Sequence, residues 1–272
     1  MESREKRPAG ADSAAGADLR SLEDRRQAIL LQLRRDGKVR VADLARLFGI
    51  SEVTVRTDLN ELEAAGQLER VHGGAIPSNH AYYNLTLDDR AQRQVEEKKR
   101  IAAEAAACVR PGDTVLLNAG TTNMVVAQQL RAIPNLTVVT NAISIACELG
   151  GAPGISVILL GGGVNAQYLF SYGDDAVGQL ARYKADKVIL SVDGFAAVGG
   201  ITTYHHQEAP LIRQMLGRAK TVIVAADYSK IGRESFSYID EAARADLLIT
   251  NPEAARAELE ALGELVADIR LV

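Results

Sequence analysis

The chain has 272 residues, 47% of them hydrophobic, with a formal net charge of −4 and two cysteines. That length allows a small domain beside a large one with a full core, and the acidic balance excludes indiscriminate coating of polyanions, so any nucleic-acid affinity must be local. Two cysteines exclude a disulfide scaffold, and no run of about 18 apolar residues is present to span a bilayer.

Residues 1–20 are rich in Ala, Gly and charge and lack the apolar stretch of a signal peptide. A disordered tail and a cytoplasmic, membrane-free protein are expected. Residues 25–35 and 41–48 carry apolar side chains at helical spacing. Gly49-Ile50-Ser51 follows as a tight turn, with Gly49 suited to end a helix in the left-handed conformation. The stretch 51–62, SEVTVRTDLNEL, then predicts a helix capped by Ser51, with Val55, Leu59 and Leu62 on one face. Its other face shows Glu52, Thr54, Arg56, Thr57 and Asn60, donors and acceptors of the kind that read base edges in a major groove. Residues 68–71 predict a strand and His72-Gly73-Gly74 a turn, with residues 38–41 as a partner strand. Helix, short glycine turn, helix and hairpin make a winged helix-turn-helix over residues 21–75. Over residues 20–75 the chain has 10 Lys+Arg against 9 Asp+Glu, a net +1. Phosphate contacts must then come from clustering by the fold or doubling by a dimer.

Residues 76–92 are expected to form a linker, with residues 82–87 short and extended and His80 at the surface. Residues 94–109 predict a helix whose charged start, EEKKR, is a solvated face. Both cysteines, Cys108 and Cys147, sit in apolar helical patterns and are expected as buried, inert thiols. From residue 111 short apolar runs alternate with helical stretches: 114–117, 136–139, 156–160, 187–192 and 221–225, with weaker versions at 247–249 and 269–272. This predicts an α/β domain over 93–272 with a mostly parallel sheet covered on both faces. Sites in such folds lie at the carboxyl ends of strands. There the sequence places Asn118, Gly120, Thr121, Thr122 and Asn123, then Thr140-Asn141, Gly161-Gly162-Gly163, Asp193-Gly194 and Asp227 to Lys230. The glycine turn before a helix is a fitting anion cradle, though a plain helix cap uses the same residues.

The N-terminal module resembles that of the DeoR family of bacterial transcriptional regulators, through Ser51-x-x-Thr54-Val55-Arg56-x-Asp58-Leu59 and His72-Gly73-Gly74-Ala75. The large domain resembles the family through Gly120-Thr121-Thr122, Val139-Thr140-Asn141, Leu160-Gly161-Gly162, Val192-Asp193-Gly194, Glu208-Ala209 and Ser229-Lys230-x-Gly232-Arg233. The resemblance implies a fold similar to ribose-5-phosphate isomerase and acyl-CoA transferases. It implies a repressor of carbohydrate or polyol genes that binds double-stranded operator DNA as a homodimer or homotetramer, needs no cofactor or metal, and answers a phosphorylated small-molecule effector. DNA contacts are expected from Ser51, Glu52, Thr54, Arg56, Thr57, Asn60, Arg70 and His72. Effector contacts are expected from Asn118, Gly120, Thr121, Thr122, Asn123, Asn141, Gly161, Gly162, Asp193, Gly194, His205, Glu208 and Lys230. The sequence departs from the family pattern at Thr57, Asn118, Asn165 and Tyr204-His205-His206-Gln207. Where Asn165 stands, the family often has an arginine able to grip an anion with two bonds. The adjacent histidines either take over that role or bind a different group. A metal site there is short of ligands. The competing function is a sugar-phosphate isomerase using Asp193, Asp227, Glu208 and Lys230 as acids and bases.

Overall fold

The structure, a computed structural model, describes residues 22–36, 39–64, 67–71, 73–77 and 86–272. The expected tail, His72, His80 and most of the expected extended segment lie outside the described residues. The chain divides into two compact units, residues 1–84 and 85–272.

The first unit has three helices, α1 (Leu22–Asp36), α2 (Val41–Phe48) and α3 (Glu52–Ala64), and three short strands, β1 (Val39–Arg40), β2 (Leu68–Val71) and β3 (Gly74–Pro77). Their apolar faces meet in one core of Ile29, Leu33, Leu44, Val55, Leu59 and Leu68. Gly49 ends α2 with φ 65° and ψ 32°, as its position predicts. The Thr54 N–H donates to Ser51 Oγ at 3.1 Å, satisfying one free amide of the first turn of α3. The wing differs from expectation. Gly74–Pro77, read as a turn leading into a linker, is a strand: β2 pairs antiparallel with β3, and β1 pairs with β3 rather than β2.

The second unit opens with α4 (Leu87–Ala91), inside the stretch read as a linker and extended chain. Thr86 and Asp89 close a capping box on it, which is why so short a helix forms. Next come α5 (Val95–Ala107), β4 (Thr114–Leu117), α6 (Thr121–Leu130), β5 (Leu136–Thr140), α7 (Ile143–Leu149), β6 (Ile155–Leu159), the hairpin β7 (Gly163–Asn165) and β8 (Phe170–Tyr172), and α8 (Asp174–Leu180). The chain continues through β9 (Ala185–Leu190), β10 (Gly194–Ala196), β11 (Gly200–Thr203), α9 (Ala209–Arg218), β12 (Ala219–Ala225), β13 (Ser237–Asp240), β14 (Leu247–Thr250), α10 (Arg256–Gly263) and β15 (Asp268–Leu271).

Seven strands form one parallel sheet in the order β15-β14-β12-β9-β4-β5-β6. Both runs read as weaker, at the chain end, are full members of it. Buried Val, Leu and Ile side chains cover both faces, giving two cores. The chain winds from β4 toward β6, then returns to β9 on the other side of β4. A crevice therefore opens between the carboxyl ends of β4 and β9. A small antiparallel sheet, β10-β11-β13, lies outside the expected set of strands.

Three local expectations are corrected. Lys98, in the run read as solvated, is buried, and its Nζ donates to the carbonyls of Arg90 and Arg93 at 2.6 Å each. Cys147 is exposed, because α7 turns Ile145 and Leu149 inward instead. Cys108 is half-buried rather than buried. Among the described residues no helix is long and apolar enough to cross a membrane.

Candidate functional site

On the first unit α3 exposes Glu52, Arg56, Thr57 and Asn60 opposite its buried Val55 and Leu59. Arg56 pairs with Glu52 one turn earlier at 2.5 Å, both half exposed, so a phosphate or base must compete only with a solvent-screened partner. Ser51 and Thr54 share a hydroxyl–hydroxyl bond of 2.8 Å at the helix start. The Thr57 hydroxyl donates to the Val53 carbonyl at 3.1 Å. Arg70 does something the sequence did not reveal. From the wing it donates to the Asn60 side chain and to the carbonyls of Arg56 and Gly74. Arg70 and Asn60 thereby tie α3 to the hairpin. Val53, 69% exposed on the same surface, was missed as an apolar residue on a polar face; such a side chain suits a thymine methyl.

The second unit holds a cavity of about 30 Å³ in the crevice at the ends of β4 and β9. β4 delivers Asn118 and Gly120, and β9 delivers Ser191 and Asp193. Gly120 is required by close approach: its φ is 155°, and a Cβ there would lie 2.4 Å from Ser191 Oγ. Asn118 Nδ2 donates to the Ser191 carbonyl at 2.9 Å and its Oδ1 accepts from the Ser191 N–H at 2.9 Å, locking the two strand ends together.

Charge inside the cavity is concentrated. Arg90 reaches in from α4, 9% exposed, and its Nη2 lies 2.7 Å from Asp193 Oδ1. Its guanidinium sits 5.6 Å from the centre of the Tyr168 ring. The other Asp193 oxygen accepts from Thr203 Oγ1 at 3.2 Å and the Tyr204 N–H at 3.0 Å. Burial pushes the Asp193 carboxyl up, but Arg90, Lys230 and the Tyr204 N–H outweigh it and hold the group below the usual range. Glu208 goes the other way. Burial raises it to about 7, against the bonds it accepts from Asn141 Nδ2 (2.9 Å) and the Ala119 N–H (3.3 Å). The two buried carboxyls are thus pushed in opposite directions, Asp193 below and Glu208 above the usual carboxylate range.

His205 forms part of the wall, against Tyr168 (ring centres 4.2 Å apart), Phe170 (5.3 Å) and Tyr204 (5.4 Å). His206 is exposed and turns to Phe236 instead, so the two histidines part company.

Asn118, Gly120, Asp193, His205 and Glu208 therefore meet on one cavity. Asn141 reaches it through Glu208, and buried Lys230 acts on it through the charge of Asp193. The remaining expected contacts lie elsewhere. Asn123 donates to Asn118 and to the Ile189 carbonyl inside the core, and Thr121 and Thr122 are buried in the first turn of α6. Gly161 bonds Gln179, Gly162 packs against the Tyr172 carbonyl, and Gly194 packs against Arg233 and Thr202. Arg90, Tyr168, Phe170, Ser191 and Thr203 were missed. The T-x-x-D box before Arg90 and two aromatics close together in a chain only 4% aromatic were the available signals.

The DeoR-like helix-turn-helix domain matches residues 25–80, and the DeoR C terminal sensor domain matches residues 93–252. The chain belongs to the DeoR family. It is a DNA-binding transcriptional regulator. Among other DeoR-family proteins, the HTH-type transcriptional repressor GlcR of Bacillus subtilis is 36% identical, over 84% of this chain and 88% of its own. The glycerol-3-phosphate regulon repressor of Escherichia coli is 29% identical, over 84% and 90%. These relatives are regulators by name, not enzymes, and the isomerase reading is set aside. A ribose 5-phosphate isomerase of Methanocaldococcus jannaschii aligns with 49% of this DeoR-family chain and 52% of its own, at 14% identity and a TM-score of 0.36.

Proposed function

We propose that this regulator is a repressor of carbohydrate or polyol genes, bound to its operator through α3 and the wing as a homodimer or homotetramer, and released by a phosphorylated effector. Repression of such genes fits the names of its relatives, one of which is a glycerol-3-phosphate regulon repressor. The observation that carries the effector class is the buried Arg90–Asp193 pair in the strand-end cavity, with Lys230 acting on the same carboxylate. A guanidinium is the best side chain for a bidentate phosphate contact.

The cavity of about 30 Å³ is an order of magnitude below a typical small-molecule pocket, roughly 300 Å³ or more. An effector enters by displacing something. An anion that takes Arg90 from Asp193 moves the one wall contributed by α4, the first element after the inter-unit segment. The raised pKa of buried Glu208 favours its protonation beside that anion, which lessens their repulsion. The ligand must favour the DNA-incompetent arrangement, or nothing switches.

The test is a thermal melt of the full chain with a panel of sugar and polyol phosphates and their unphosphorylated parents. At a concentration ~100 times Kd, binding adds about 2.7 kcal/mol, which raises the melting of a domain this size by roughly 5–10 °C. A phosphorylated member should do this and its parent should not. Equal shifts from both, or none from any, would overturn the anion reading.

A further inference from the structure

We propose that His205 is the residue by which this chain distinguishes one effector from another: its Nε2 hydrogen-bonds an uncharged hydroxyl of the bound compound, while the anionic end engages Arg90. The inference rests on the effector reading above, and goes beyond it by assigning the hydroxyl end to a single atom.

The first observation is that His205 Nε2 is buried and has no hydrogen-bond partner among the described residues. Buried polar atoms in folded proteins are nearly always paired, and an orphan calls for a reason. This orphan belongs to a ring that lines the cavity, so a ligand in the cavity can supply what the fold does not.

The second observation is how firmly the ring is held. Tyr168, Phe170 and Tyr204 flank it. The backbone N–H of His205 donates to Thr203 Oγ1 at 3.4 Å, and that hydroxyl donates to Asp193 Oδ2. The imidazole is therefore built onto the same frame as the anion contact, at a fixed offset from it. A hydroxyl at one position on the effector carbon chain meets that geometry, and its epimer or deoxy analogue does not.

The third point concerns charge. Burial pushes the imidazole pKa down, with Arg90 and His206 acting in the same direction and Asp193 offsetting them in part. A neutral imidazole has one donor nitrogen and one acceptor nitrogen, which suits a hydroxyl and adds no charge for a phosphate. The exposed His206 cannot complete a cationic pair at the cavity. The expectation that the two histidines jointly replace an arginine is thus not how they are arranged.

The test uses the full chain and His205→Phe, which keeps an aromatic ring among the flanking aromatics and removes both nitrogens. Inorganic phosphate, glycerol 3-phosphate, glucose 6-phosphate, propyl phosphate (no hydroxyl) and the free polyols are titrated calorimetrically. The proposal expects phosphate and propyl phosphate to bind both proteins within twofold. It expects the preferred hydroxylated ester to bind His205→Phe roughly fivefold to tenfold more weakly, the size of one hydrogen bond. Weakened binding of phosphate and ester alike, or unchanged binding of every compound, overturns the assignment of His205 while leaving the anion reading standing. If a free polyol binds as well as its phosphate and His205→Phe weakens both, His205 stands and the anion reading falls. If no compound binds the wild-type chain, both fall.

Discussion

Replacing Asp58 with alanine is expected to unfold the DNA-binding unit and abolish operator binding, while the second unit keeps its own melting transition. Asp58 lies on α3 with 1% of its side chain exposed. Arg25 of α1 meets it with two bonds, Nε to Oδ2 at 2.6 Å and Nη2 to Oδ1 at 3.0 Å, and Arg26 Nε stands 3.5 Å from Oδ1. Alanine would strand two guanidiniums in a mostly buried position. Breaking such a pair costs about 3–5 kcal/mol, and a core this small rarely supplies more than about 3–5 kcal/mol in total. Calorimetry should show the lower-stability transition abolished and the other unmoved; Asp58→Asn should fall between. An Asp58→Ala protein that binds DNA normally would remove the structural role given to this carboxylate.

The second large effect is expected at Arg90. Arg90→Gln should leave operator DNA bound but deaf to the effector. The substitution also leaves a buried Asp193 carboxylate without its guanidinium, which destabilises the second unit by itself, on the order of 2–5 kcal/mol. The informative protein is therefore the double variant Arg90→Gln, Asp193→Asn, a neutral pair that leaves no buried charge without its partner. It should recover most of the melting temperature and none of the effector response. That split separates an anion-binding role from a merely structural ion pair, because a structural pair would be rescued in both readouts. The Arg90 side chain is in the cavity and its carbonyl is held by buried Lys98.

What the sequence disclosed, and what it hid, follows from the range of the interactions. The helix-turn-helix was legible because Gly49, Ser51 and the Val55-Leu59-Leu62 stripe are local signals. The parallel sheet was legible because its strands are continuous apolar runs. β3 was hidden because Gly74 and Pro77 advertise a turn. They stand at the two ends of β3, the middle strand of the wing, which pairs antiparallel with both β1 and β2. The hairpin carrying Tyr168 and Phe170, and the sheet β10-β11-β13, are too short and glycine-rich to show periodicity. Arg90 was hidden because its partner lies 103 residues away. Lys98 was hidden because burying an ammonium needs two carbonyls at the end of another helix, which no local pattern announces. Of the residues named by the strand-end rule, Asn118, Gly120 and Asp193 line the cavity, whereas Thr121, Asn123 and Gly161 are not among its lining residues.

The central claim is that an anion in the Arg90–Asp193 cavity sets operator affinity. Fluorescence anisotropy of the full chain on its own upstream DNA, at fixed salt, tests it most directly, with and without the phosphorylated compound that stabilises the protein. In the wild-type chain the affinity is expected to fall by about 5–150-fold, the range of a typical coupling of ~1–3 kcal/mol, and in the double variant it is expected to stay the same. An operator affinity that ignores a compound known to fill the cavity would contradict it.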